Sequence, residues 1–294
     1  MGLDAASLLQ VLVWGLVVGS IYVLLATGLT LIFGVMKLVN FAHGELMMWG
    51  AFLTILIAQS TGVNPYVAMI GSTAAVGLLG VAIERLGFRP LRGTAKINEI
   101  FLSIALILVL QNALARFFVP YFRENAQIRT PYATEYFSLG LVNLRYDFVI
   151  LLAVAWAITF GLWFVLFHTA PGRDVRATSQ NRAAALLMGI DVRRIDMLCF
   201  GIGSALAALA GALYGVVNPF SPYAGTIPAI KAFAVIILGG LGSVPGAVLG
   251  GLLYGVVESF GTFFLGGSWR DAIAFVLLIV VLMVRPQGIF REGA

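Results

Sequence analysis

Apolar residues run along this chain in long unbroken stretches, and polar residues gather in short intervals between them. A hydrocarbon core about 30 Å thick is crossed by about 20 apolar residues in a helix. Runs of that order predict helical spans over residues 8–33, 41–59, 66–83, 100–119, 148–167, 195–217 and 272–284. A further apolar stretch, 227–265, is cut in the middle by Gly239-Gly240-Leu241-Gly242-Ser243-Val244-Pro245-Gly246. Such a break predicts either a re-entrant hairpin or two complete helices. The expected architecture is an all-α polytopic membrane domain over residues 1–294, with eight or nine membrane segments and nine favoured.

Composition agrees. Of 294 residues 61% are hydrophobic and 11% charged, against about 45–50% and 25% in soluble domains. A soluble protein of this size has too much surface to hide that apolar content. A secreted disulfide scaffold, a disordered chain and a nucleic-acid binder are excluded. Cys199 is the single cysteine and sits in an apolar run, as a small core residue does. The N-terminus carries Asp4 and no basic residue before the first span, so that span is expected to stay as a helix.

The net charge of +5 matters through its distribution. Arg85, Arg89, Arg92 and Lys96 crowd the interval 84–99. Arg173, Arg176, Arg182, Arg193 and Arg194 crowd 171–194, and Arg285 and Arg291 follow the last span. In the interval 120–147, Arg123, Arg129 and Arg145 are balanced by Glu124, Glu135 and Asp147. Short cytoplasmic loops hold the excess of Lys and Arg. The expectation is an external N-terminus, an external loop 120–147, a cytoplasmic segment 171–194 and a cytoplasmic C-terminus.

Enzyme motifs are missing: there is no GxxxxGK[ST] loop, HExxH, CxxC pair or GxSxG elbow. His43 and His168 are too few and too far apart to promise a metal site. Passage across the membrane, or a purely structural membrane role, remains.

Within 171–194, residues 182–188 are strong helix formers, Gly189 suits a C-terminal cap, and Asn181 or Ser179 suits the start. The helix is too short to span. Its apolar face (Ala184, Ala185, Leu187, Met188) predicts a docking helix for a cytoplasmic partner, against the plainer reading of a solvated basic loop. Gly203, Ala207, Gly211 and Gly215 recur at intervals of four, and Gly246, Gly250, Gly251 and Gly255 repeat the device. Small residues at that spacing predict close helix packing.

Ionisable groups at membrane depth are expensive and mark function by default. His43, Glu45, Lys231 and Glu258 qualify. Antiparallel limbs around the glycine break bring Lys231 and Glu258 to similar depth, which predicts an ion pair fastening the hairpin. Interrupted apolar segments point to a transporter's pathway. The junctions 34–44 and 239–246 are therefore expected to approach each other and to border it, with helices starting after Gly44 and Gly246. The pathway candidates are Asn40, His43, Gly44, Glu45, Gly239, Gly240, Gly242, Ser243 and Gly246.

The run from Gly28 to Ala51, centred on Asn40-Phe41-Ala42-His43-Gly44-Glu45, closely resembles the first motif of H-type permease subunits from branched-chain amino-acid ABC importers. Three further matches keep that family's order: Gly172-Arg173 and Arg176-Ala177 with Gly189-Ile190; Ile237 to Ser243 with Gly246-Ala247; and Val284-Arg-Pro-Gln-Gly-Ile-Phe290. Urea permeases of the superfamily look alike at the first motif, usually with Met where this chain has Phe41; sugar permeases lack the His-Gly-Glu pattern. The resemblance implies a bacterial inner-membrane protein. It also implies a second homologous permease, two cytoplasmic ATPase subunits, an external substrate-binding protein, and a setting in membrane lipid. ATP is then used by the partners, and this chain binds no cofactor. Gly172, Arg173, Arg176, Arg182, Leu187, Met188 and Gly189 become ATPase-coupling residues. Competing readings are a permease for urea or another small polar solute, a secondary transporter coupled through Glu45, Lys231 and Glu258, and a passive channel.

Overall fold

The computed structural model describes residues 4–118, 126–140, 142–284 and 288. Arg123, Glu124, Arg285 and Arg291 of the charge argument, and most of the closing motif 284–290, lie outside them. The chain is mostly helical. It runs α1 (Ala5–Met36), α2 (His43–Thr61), α3 (Pro65–Ile83), α4 (Lys96–Phe118), α5 (Tyr146–His168), α6 (Ala170–Gln180), α7 (Arg182–Leu187), α8 (Val192–Val217), α9 (Thr226–Gly239), α10 (Val244–Leu265) and α11 (Arg270–Val284). A π-turn at Glu84–Phe88 and a 3-10 turn at Arg89–Leu91 prolong α3.

Several helices begin on side chains that satisfy first-turn amides. Asn64 accepts from the amide of Tyr66 at 3.0 Å, Asp191 from that of Arg194 at 3.1 Å and Ser243 from that of Gly246 at 3.1 Å. Pro65 and Pro245 sit in the first turns of α3 and α10, where the missing N–H costs nothing.

Among the described residues, seven helical segments are long and apolar enough to cross a bilayer: α1, Pro65–Leu91, α4, α5, α8, α10 and Gly267–Val284. The sequence predicts eight or nine segments with an interrupted pair among them, and the smaller number of full-length spans has a physical reason. The expected span 41–59 loses Phe41, which lies in a turn, and α2 carries His43 and Glu45 in its first turn. The first limb of the broken stretch, α9, has only 14 residues. One small hairpin is added to the expected helical architecture. In the interval 120–147, β1 (Tyr136–Leu139) pairs antiparallel with β2 (Val142–Arg145), Tyr136 facing Arg145 and Leu139 facing Val142. Two four-residue strands are too short for their alternation to show in the sequence.

α1 is the central helix, and its most extensive contact is with α10, followed by α8. Glycines let these backbones touch. A Cβ on Gly15 would stand 2.8 Å from the Cα of Val256, and one on Gly28 2.7 Å from the carbonyl of Gly203. Gly19 faces Gly255, Gly50 faces Ala208 and Gly211 faces Met47 just as closely. Both small-residue stripes are packing seams. Around them α4 and α11 stay largely exposed.

Adding side-chain atoms at a seam forces backbones apart, at about 1–3 kcal/mol or more. Gly28→Leu is expected to lower the thermal unfolding midpoint in detergent by several degrees, whereas Gly161→Ala, on open α5 surface with nothing within 4 Å, leaves it unchanged. A Gly28→Leu protein as stable as the parent would show that the seam does not hold the bundle.

Candidate functional site

The junction between α1 and α2 is a return into the bundle. Lys37, at φ 53°, ends α1 in the left-handed region and reverses the chain. Residues 37–42 then run back alongside α1, so that His43 Nε2 lies 3.1 Å from the carbonyl of Leu25. Leu25 stands eleven residues before Met36, about 16 Å along the helix axis. α2 therefore starts beside the inner part of α1, well away from its end. Asn40 Oδ1 accepts from the amide of Ala42 at 3.1 Å and shapes the turn. Asn40, His43 and Glu45 are all buried. The helix begins at His43, so Gly44 lies in its first turn and does not precede it. The same correction holds for α10, where Gly246 follows the Ser243 cap by three residues.

A second helix starts at this level. Gly225, just before α9, lies so close to Gly44 that a Cβ on it would be 2.7 Å from the Gly44 carbonyl and 2.8 Å from the Glu45 carboxyl carbon. Gln111 of α4 closes the site: its Nε2 donates to Glu45 Oε1 at 2.9 Å and reaches Thr226 Oγ1 at 3.4 Å. Gly225, Thr226 and Gln111 were not among the sequence candidates. Pro222, Gly225 and Pro228 around the end of the apolar run were the available signal.

From there α9 descends to the glycine turn. Gly240 at φ 99° and Gly242 at φ 90° need glycine for that turn. Gly239 and Gly246 face each other across it. Gly242 lies against Gly34, with 3.6 Å from a Cβ on either to the other's Cα. The two sequence-predicted junctions thus meet, at the Gly34 end of α1, while Gly44 meets the opposite end of α9. A cavity of about 140 Å³ opens beside Gly34 and Gly242 and is walled by Val175, Arg176 and Ser179 of α6.

Lys231 and Glu258 come together, Nζ donating to Oε1 at 2.9 Å. They belong to a larger cluster. Lys231 also pairs with Asp271 at 2.9 Å, and Arg270 pairs with Glu258. Arg270 and Asp271 open α11, so the four charges join the start of α11 to α9 and α10. Tyr22 of α1 lies beneath, 5.9 Å from the Lys231 ammonium.

On the side of the molecule where α5 ends, residues 170–180 form a helix where the sequence predicts a loop leading to α7. Thr169 caps it, and Gly172 lets it fold back against the last carbonyls of α5. Arg176 covers the Phe167 ring at 5.0 Å, and Arg173 is exposed. α7 follows, with Asn181 accepting from the amide of Ala184 at 3.0 Å; Ser179 lies inside α6. Met188 caps its end and Gly189 takes φ 82°. Of the expected apolar face only Ala185 is buried; Leu187 is 89% and Met188 81% exposed. Arg182 turns inward to pair with Asp196 of α8. Arg92 also pairs with Asp196 and meets Glu84 at 2.9 Å, and Arg89 meets Glu84 at 2.8 Å. These two wholly buried carboxylates were missed; acids at the ends of apolar runs were the signal. On the opposite side Asp147 accepts from Tyr66 at 2.7 Å and Thr130 at 2.5 Å, and pairs with Arg145 at 2.8 Å.

Comparison with known proteins adds four findings. Residues 11–282 match the family model described as branched-chain amino acid transport system / permease component. The chain is 37% identical over 299 residues to the high-affinity branched-chain amino acid transport system permease protein BraD of Pseudomonas aeruginosa, covering 96% of this chain and 95% of that one. It is 32% identical over 306 residues to the permease protein LivH of the corresponding Escherichia coli system, covering 96% and 94%. A similar fold occurs in PsaBC from Streptococcus pneumoniae in complex with Fab, with a TM-score of 0.53, 15% identity, and coverage of 95% and 92%.

Removing one member of a buried ion pair costs about 3–5 kcal/mol. Glu258→Ala, which strands Arg270 and leaves Lys231 only the half-exposed Asp271, is expected to fall in that range in detergent unfolding. Lys231→Met is milder, because Arg270 still meets Glu258. The double exchange Lys231→Glu/Glu258→Lys sets lysine beside Arg270 and glutamate beside Asp271, and is expected to be no better than Glu258→Ala. Equal losses for the two single variants would contradict this cluster.

Proposed function

The chain belongs to the branched-chain amino acid transport permease family, and from that premise we propose that it forms one half of the translocation pathway of an ATP-driven importer for branched-chain amino acids. Near-complete coverage by relatives named as such permeases carries this reading. As a permease subunit it passes substrate and catalyses no reaction. A second homologous permease supplies the other half, two cytoplasmic ATPases drive it, and an external binding protein delivers substrate. Lipid covers α4, α5 and α11. The cluster around Lys231 and Glu258 suits a fastening role better than the ion-coupling role that a secondary transporter needs.

In this reading the protein sits in a bacterial inner membrane with its N-terminus and β-hairpin outside, and α6, α7 and the C-terminus in the cytoplasm. The seven full spans are joined by two incomplete segments, α2 and α9, giving nine, with α9 and the full span α10 forming a hairpin that enters and leaves on the outer side. Both incomplete helices have N-termini inside the bundle, which suits them to border the pathway. α6 and α7 dock on an ATPase. The exposed Leu187 and Met188 supply the anchor, because exposed arginines contribute only about 0–1 kcal/mol per ion pair. Arg182 serves differently, holding α7 to α8 through Asp196.

Two experiments test these points. Leu187→Asp is expected to abolish binding-protein-stimulated ATP hydrolysis while membrane insertion stays normal; full stimulation would exclude docking through α7. In a Cys199→Ala background, Met188→Cys is expected to react with an impermeant thiol reagent only from the cytoplasmic face and Tyr136→Cys only from outside. The reverse pattern would invert the topology.

A further inference from the structure

Glu45 is 1% exposed, and its Oε2 has no hydrogen-bond partner among the described residues. Gln111 satisfies Oε1 alone, and no ion pair to Glu45 occurs among the described residues. The first-turn amides of α2 favour negative charge at this position. A carboxylate held out of water nevertheless calls for a cation and for partners on both oxygens. Gln111, which donates to Oε1, is half-buried, and Thr226, which Gln111 also reaches, is exposed, so the contacts of Glu45 lead outward on this side.

That side heads an apolar strip. Thr226, Ile230, Phe233 and Ile237 recur at helical spacing on one face of α9, and the three apolar residues are half-buried. Phe41 is exposed and lies 5.2 Å from the Phe233 ring, centroid to centroid. The strip runs between two breaks in helical backbone, at residues 221–225 and 240–243. Irregular backbone at membrane depth is tolerated only inside protein or beside water, never against lipid. This face therefore borders an aqueous or protein-covered space.

We propose that Glu45 binds the ammonium group of the transported amino acid, and that Ile230, Phe233 and Phe41 hold its apolar side chain. The proposal rests on the permease reading above and names the chemistry of its pathway: a cationic head beside a branched apolar tail. Gln111 is the displaceable cover, its amide standing where the ammonium binds.

The test uses the complete importer in proteoliposomes, with leucine and the binding protein outside and ATP inside. Glu45→Gln preserves shape and removes charge. It is expected to lower the maximal uptake rate at least ten-fold, with the half-saturating leucine concentration unchanged because the binding protein sets it, and Glu45→Asp recovers part of the rate. Gln111→Lys tethers a competing ammonium beside Glu45 and is expected to block uptake to the same degree. Wild-type uptake by Glu45→Gln overturns the proposal. So does wild-type uptake by Gln111→Lys, which decides the matter if Glu45→Gln does not assemble. If the unaltered complex moves no branched-chain amino acid, the permease reading itself falls, and this proposal with it.

Discussion

Helices in hydrocarbon gain nothing from leaving lipid for one another unless their backbones approach closely, since the tails are as apolar as the side chains. Every other feature of this bundle depends on how that requirement is met around α1. Gly15 and Gly19 admit α10, Gly28 admits α8, and Gly203 answers from the facing side. The gain is dispersion between many atoms in contact, lost quickly when a gap opens. Because α1 is gripped on both flanks along its length, its neighbours hold fixed depths relative to it. The position of each break in a helix is set against that frame.

The breaks are where polar groups accumulate. A helix that starts inside the bundle leaves first-turn amides without helical partners, and the surroundings must supply them. Ser243 does so for α10, and the Asn40 side chain shapes the approach to α2. Gly44 and Gly225 bring the starts of α2 and α9 together with no side chain between them. Burial of Glu45 and His43 beside that contact concentrates ionisable chemistry where the backbone is irregular. The four charges around Glu258 sit elsewhere and tie the start of α11 to the bodies of α9 and α10.

The opposite end is organised by two buried carboxylates. Glu84 holds Arg89 and Arg92, and Asp196 holds Arg92 and Arg182, so one continuous network links the turn after α3, the start of α8 and α7. α6 walls the cavity beside Gly34 and Gly242. A push on α6 or α7, as proposed for ATPase docking, thus has contiguous routes to the glycine turn and to α8. The shared Arg92 makes the network stiff, since moving its guanidinium disturbs both carboxylates.

Residue order alone settles the membrane class, most span positions, the small-residue seams, α7 with its Asn181 cap and the Gly189 that follows its end, and the family motif around His43. Each is a local property: run length, helical spacing, or residue types adjacent in the chain. It also singled out Lys231 and Glu258, because charge inside an apolar run is visible without a structure. Tertiary structure decided what those residues meet. Arg270 and Asp271 read as ordinary interfacial charges until α11 folds beside α9 and α10. Glu84 and Asp196 read as loop acids until the arginines of distant segments converge on them. The return of residues 37–42 into the bundle, the shortness of α9 as a membrane segment, and the meeting of Gly44 with Gly225 rather than with the glycine turn depend on depth within the bundle. Depth is set by which helices pack on α1 and where. No periodicity in a linear sequence carries that, because it is a relation between surfaces far apart along the chain.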